Sequence, residues 1–81
     1  MIKWRPPHLW QGVADTLRGR IKSGEYPPRS RMPSIRDVMG EFDVGRNTAL
    51  HALQYLEEQG FVVMVQSQGT FVTPAEEWPA E

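Results

Sequence analysis

The sequence contains no cysteine, so it can form neither a disulfide framework nor a thiolate metal site, and its core must stabilise the fold unaided. Nothing points to an oxidising compartment, and a cytoplasmic protein is expected. Long apolar runs are also missing: the longest, Phe61 to Val65, has five residues, against the roughly 20 of a membrane-spanning helix. Lys3 and Arg5 lead into Pro6-Pro7 instead of the apolar stretch of a signal peptide, so no membrane partner is expected. No phosphate-loop or H-E-x-x-H string occurs. His8 and His51 fall on different elements, and the pairs Glu57-Glu58 and Glu76-Glu77 fall on a helix end and a tail. Neither catalysis, a metal nor a cofactor is therefore expected. The chain has 81 residues, which leaves room for one small domain.

The last absence is of charge of one sign. No lysine or arginine follows Arg46; residues 1–46 carry nine basic and five acidic groups, net +4, and residues 47–81 carry five acidic groups, net −5. The overall charge of −1 hides this split. Such asymmetry points to a polyanion-facing surface built by the first half, or more blandly to a solvated surface with arginines at helix ends.

What is present reads as three helices and a hairpin, an α+β fold. Trp10, Val13, Ala14, Leu17 and Ile21 recur at spacings of three and four, one stripe of a helix running from about His8 to Ser23. Pro6-Pro7 preset its entry and Gly24 stops it. Tyr26-Pro27-Pro28 turns the chain into a short extended piece at Ser30 to Met32. Ser34 then caps a second, two-turn helix whose stripe is Ile35, Val38, Met39 and Phe42, with Asp37 suiting its positive end.

Phe42-Asp43-Val44-Gly45 is a tight connection before a third helix opens at Arg46. Two helices so joined form a helix-turn-helix pattern, which frees the first turn of the second to project outward. On that helix Ala49, Ala52, Leu53 and Leu56 share one face, and Asn47, His51, Gln54 and Glu58 share the other. Gly60 ends it. Phe61 to Gln66 and Thr70 to Thr73 read as strands joined by Ser67-Gln68-Gly69 and closed by Pro74. Residues 8–73 form the domain core and 1–7 an N-terminal extension. The acidic segment 74–81 has no periodicity and is expected to be mobile. Trp10 joins the first helical stripe; Trp4 and Trp78 are expected to pack either on the domain or on a second copy.

Six segments in order, Val13-Ala14-Asp15-x-Leu17-Arg18, Ile21-x-Ser23-Gly24-x-Tyr26-Pro27-Pro28, Pro33-Ser34-x-Arg36, Arg46-Asn47-Thr48, Leu56-Glu57-x-x-Gly60 and Gly69-Thr70-Phe71-Val72, resemble the GntR-type winged helix-turn-helix domain. The resemblance implies a bacterial transcription regulator, expected to be a repressor, with the third helix in the major groove and the wing beside the backbone or minor groove. It implies DNA contacts from Arg36, from Arg46, Asn47 and Thr48, and from the wing glycine, Gly69. It also implies a C-terminal ligand-sensing and dimerising domain, of which this sequence carries none; the chain is either a stand-alone regulator or a piece of one, and no small-molecule effector site is expected in it. The departures are Gly45 in place of a capping Ser or Thr, Leu50 and His51 in place of two basic residues, and an uncharged Ser67-Gln68-Gly69 turn.

Read by chemistry, Arg46 can pair bidentately with guanine or meet a phosphate, and Asn47 can pair with adenine. A cation at the positive end of a helix dipole calls for an anion, which applies to Arg46 and to Arg36. Thr48 either donates to a phosphate or satisfies its own turn. His51, with Gln54, either reaches the groove or is plain surface. Arg31 and Arg29 are expected phosphate contacts, and Ser34 joins the candidate DNA-binding residues beside its cap role. Leu50 either meets a thymine methyl or a partner subunit, or is ordinary surface. Gly69 either admits a backbone closely or serves the turn. With three or four phosphate contacts per copy, the salt dependence is expected to be shallow. A lone module should bind weakly, so a palindromic site read by two copies, or by one copy and a partner regulator, is expected. The alternative is a winged-helix interaction module that heterodimerises with a larger regulator.

Overall fold

The computed structural model describes residues 9–79. The expectations for the entry prolines Pro6 and Pro7, for Lys3, Trp4, Arg5 and His8, and for Ala80 and Glu81 at the tail's end lie outside these residues.

Helix α1 (Leu9–Ser23) buries Val13, Ala14, Leu17 and Ile21, the residues whose spacing predicts its inner stripe. Gly24, at φ +93°, stops it. Helix α2 (Ile35–Phe42) starts with a complete capping box. The Ser34 hydroxyl accepts from the Asp37 amide at 3.1 Å, and the Asp37 carboxylate accepts from the Ser34 amide at 3.2 Å. Two amides with no helical partner are thereby satisfied. Asp43, in the left-handed region, ends α2, and Val44 packs on the core as the plug of the turn.

Helix α3 (Arg46–Gln59) presents Ala49, Ala52, Leu53 and Leu56 to the interior, all fully buried. It is the central element, packed on by α1, by α2 and by the first strand. Phe61, Val62 and Val72 close the core from the sheet side, and Met32 closes it from the loop before α2. Burial of each large aliphatic side chain contributes roughly 1.5–3 kcal/mol, which makes this single cluster the main source of stability.

Strands β1 (Val62–Val65) and β2 (Gly69–Val72) pair antiparallel, from Val62 opposite Val72 to Val65 opposite Gly69. The extended piece before α2 adds a short third row, with Arg31 bridged to Phe71. Its hydrogen bonds run from Met32 N to Thr70 O at 2.7 Å and from Val72 N to Ser30 O at 2.8 Å.

The acidic tail follows the hairpin. Over Pro74 to Pro79 it is laid against the domain: Ala75–Glu77 form a 3-10 turn, and the Trp78 ring lies 5.9 Å from that of Phe61. The Trp78 indole donates to Thr73 O at 3.1 Å. A single indole with its N–H satisfied can anchor a segment without any periodic partner. Glu76 and Glu77 stay in solvent. Of the two places expected for Trp78, it takes the one on its own domain.

A candidate nucleic-acid interface

The outer surface of α3 begins at its N-terminus. Gly45 caps the helix with extended backbone and no side-chain hydrogen bond. Arg46 and Asn47 are exposed and Thr48 is half-buried. Asn47, Gln54 and Glu58 form the exposed centre of the face. One flank turns to the wing: Glu57 accepts from the Met64 amide at 2.9 Å, and Arg46 and Leu50 share that flank by helical spacing. Leu50 is half-buried there.

The opposite flank is held by α1. The His51 imidazole is exposed but stacked on Trp10, with centroids 4.1 Å apart and planes at 23°, and Tyr55 meets the same indole edge-on at 4.9 Å. His51 thus borders the outward face with its ring position set by α1.

The arginines divide by partner. Arg18 pairs with Asp15 at 2.7 Å. Arg20 pairs with Glu41, bonds the Tyr26 hydroxyl at 3.0 Å and lies 5.6 Å over the Phe42 ring. The hydrogen bond from Arg20 holds the Glu41 carboxyl below its ordinary value; bonds to Glu41 and then Tyr26 push the Arg20 guanidinium up. Lys22 lies 5.9 Å over the Phe61 ring. By contrast Arg29, Arg31, Arg36 and Arg46 are all exposed, and among the described residues none of them has an ion pair or a side-chain hydrogen bond.

Two of those four border one cleft. Between the start of α2 and the wing lies an open concavity of about 510 Å³, with Ser34, Arg36 and Ile35 on one side, Met64 to Thr70 on the other, and Arg31 at its edge. Ser34 uses its oxygen in the cap, which leaves its hydroxyl proton available to a ligand. The wing turn closes with Gln68 N to Val65 O at 3.0 Å and holds Ser67 at φ 71° and Gly69 at φ +114°. Gln66 and Gln68, which sequence reasoning passed over, line this cleft; their only signal was two amides bracketing a turn. The predicted residues therefore fall into two adjoining groups: Arg46, Asn47, Thr48 and His51 on α3, and Arg31, Ser34, Arg36 and Gly69 around the cleft.

Three helices, the last two joined by a tight turn, with a following antiparallel hairpin define a winged helix-turn-helix domain. The chain belongs to the GntR family of bacterial regulatory proteins, whose family model matches residues 9–72. It is 37% identical over 65 residues to the uncharacterized HTH-type transcriptional regulator YdcR of Escherichia coli, covering 80% of this chain and 14% of YdcR. It is 33% identical over 67 residues to the histidine utilization repressor of Klebsiella aerogenes, covering 83% of this chain and 28% of that protein. The chain thus spans less than a third of the length of these relatives. The solved structure of the AraR DNA-binding domain in complex with operator ORR3 superposes with a TM-score of 0.80 at 29% identity, covering 90% of this chain and 87% of that one. Among the described residues no helix is long and apolar enough to cross a membrane.

Proposed function

We propose that this chain binds double-stranded DNA sequence-specifically and acts in transcriptional repression, with α3 in the major groove and the wing beside the backbone or minor groove. The observation that carries this reading is the segregation of arginines: among the described residues Arg18 and Arg20, on α1, have acidic partners, and Arg31, Arg36 and Arg46, with Arg29, have none. Unpaired exposed cations at helix starts are poor architecture and good phosphate ligands. Arg46 and Asn47 read base edges, Thr48 and Ser34 donate to phosphate, and His51 and Gly69 border the contact. The naming of related full-length proteins as repressors, and of AraR as bound to an operator, supports the same direction. Because one module offers few base contacts, two copies on a palindromic site are the proposed binding unit.

Selection of bound duplexes from a randomised pool tests this. Enrichment of a palindrome is expected, with sequence preference lost in Arg46→Ala while circular dichroism stays unchanged. Absence of any enriched sequence, or retention of the preference in that variant, overturns the reading. The uncharged wing tip and the exposed Val63, 42% accessible, favour a second role as an interaction module. Sedimentation that reveals protein association without a shift on any duplex would select it.

A further inference from the structure

We infer that the positive charge beside the wing comes from Arg31 and not from the wing itself, and that Gly69 is glycine to let that guanidinium lie across the wing's base, where with Arg36 it grips one phosphate of the duplex backbone. This rests on the DNA-binding reading above.

The wing turn, Gln66-Ser67-Gln68-Gly69, carries no charge, and no basic residue follows Arg46. A hairpin beside a polyanion would then offer only amides. Arg31 remedies this from outside the hairpin. Its backbone belongs to the sheet, bridged to Phe71 and followed by the 2.7 Å bond from Met32 N to Thr70 O, so its origin is as fixed as a wing residue's. Its side chain then passes Gly69 closely. A Cβ built at Gly69 would lie 3.0 Å from the Arg31 Nε, 3.1 Å from Nη2 and 3.4 Å from Cζ. A side chain at 69 would oblige the guanidinium to give by a few tenths of an ångström, besides straining a backbone at φ +114°.

Among the described residues that charge has no ion-pair partner. Asp37 borders the neighbouring concavity with Arg31, but its carboxylate is engaged by the Ser34 amide at 3.2 Å and forms no ion pair with Arg31. Arg36 stands across the cleft, whose lining contains no acidic residue. Two arginines, an available hydroxyl and two amides around one opening match the donor set of a phosphate diester.

The test is the salt dependence of binding to the selected duplex and to an unrelated one, with thermal melts as a control. Arg31→Ala is expected to reduce the log–log salt slope by about 0.9 per copy and to weaken both duplexes alike, by roughly tenfold, with the melting temperature unchanged. Arg31→Lys should keep the slope. Gln68→Arg in the Arg31→Ala background should restore it, since that places a cation on the wing itself. Gly69→Ala should weaken binding more in the parent than in the Arg31→Ala background, where only the backbone strain at φ +114° is left. An unchanged slope in Arg31→Ala, or an equal loss from Gly69→Ala with and without Arg31, overturns the inference. If Arg46→Ala abolishes sequence preference while Arg31→Ala leaves the slope alone, this inference fails and the operator reading stands. If Arg31→Ala lowers the slope on a protein that selects no sequence, the operator reading fails and this one stands.

Discussion

The end of α1 and the edge formed by α2, α3 and the wing are both rich in arginine, and they use it in opposite ways. At the end of α1, Arg20 joins three elements: its own helix, the loop at Tyr26, and Glu41 and Phe42 of α2. Its charge is neutralised where it sits, and its stem and planar head act as packing surface. At the other edge Arg31, Arg36 and Arg46 are held by the backbone but, among the described residues, form no ion pair. Residue type therefore says little about role in this fold; the presence or absence of a carboxylate partner says more. The split between a +4 first half and a −5 second half follows the chain, whereas the paired and unpaired cations are both in the first half.

The comparison breaks most readily at Arg46. Arg46→Ala should weaken binding to the selected duplex by about 1–3 kcal/mol, the worth of a bidentate base contact, and shift the melting temperature little, because nothing in the domain leans on that side chain. A matched pair of binding isotherms and thermal melts checks both halves. Substantial loss of stability would mean that the unpaired edge is also architecture.

Arg20→Ala is the mirror experiment. It removes the bonds to Glu41 and Tyr26 and the stacking over Phe42. A loss of about 1 kcal/mol is expected, since exposed ion pairs contribute little and the packed stem adds to them. In a domain of this size that lowers the melting temperature by about 4–8 °C. DNA affinity of the folded fraction should stay as it was. A selective loss of DNA affinity at unchanged stability would erase the distinction between the two regions.

Much of the fold beneath this division was legible in the sequence, because it depends on local rules. The stripes of α1 and α3, the cap at Ser34 and the hairpin fall where periodicity and turn chemistry place them, with strand limits within about a residue. The outward start of α3 was legible for the same reason: Asn47 cannot share a face with Ala49 and Leu53. What escaped is contact between segments far apart in the chain. No spacing rule links Arg31 to Gly69, Trp10 to His51 or Trp78 to Phe61. The partner of Arg20 was equally hidden, since Glu41 is one of several acids that sequence alone leaves equivalent.

Gly45 sharpens the comparison from the backbone side. It occupies the cap of the helix that carries the unpaired Arg46, at φ −77° and ψ 170°, and a Cβ there would meet nothing within 4 Å. Gly45→Ser therefore fits without strain and gives α3 the side-chain acceptor that α2 already has in Ser34. A gain of a few tenths of a kcal/mol is expected from the cap, readable as a rise of about 2 °C in melting temperature. A fall instead would mean that the glycine is needed for something other than conformation.

The smallest effect separates the regions by pH. Hydrogen bonding from Arg20 holds the Glu41 carboxyl below its ordinary 4.5, so the folded state binds this proton less readily than the unfolded chain. The resulting stabilisation is fully present above the unfolded value and fades as pH falls through the folded one. From pH 7 down to about 5 it should be constant, and it should decline only below that. Because Glu41 is exposed, solvent screening keeps the term small. The variant Glu41→Gln should thus melt slightly lower than the parent at pH 7, and the gap should close as pH falls through the lowered value of the folded carboxyl. A Glu41→Gln difference that persists unchanged into acid would show that Arg20 is held at the junction by packing alone, with its ion pair contributing nothing to the fold.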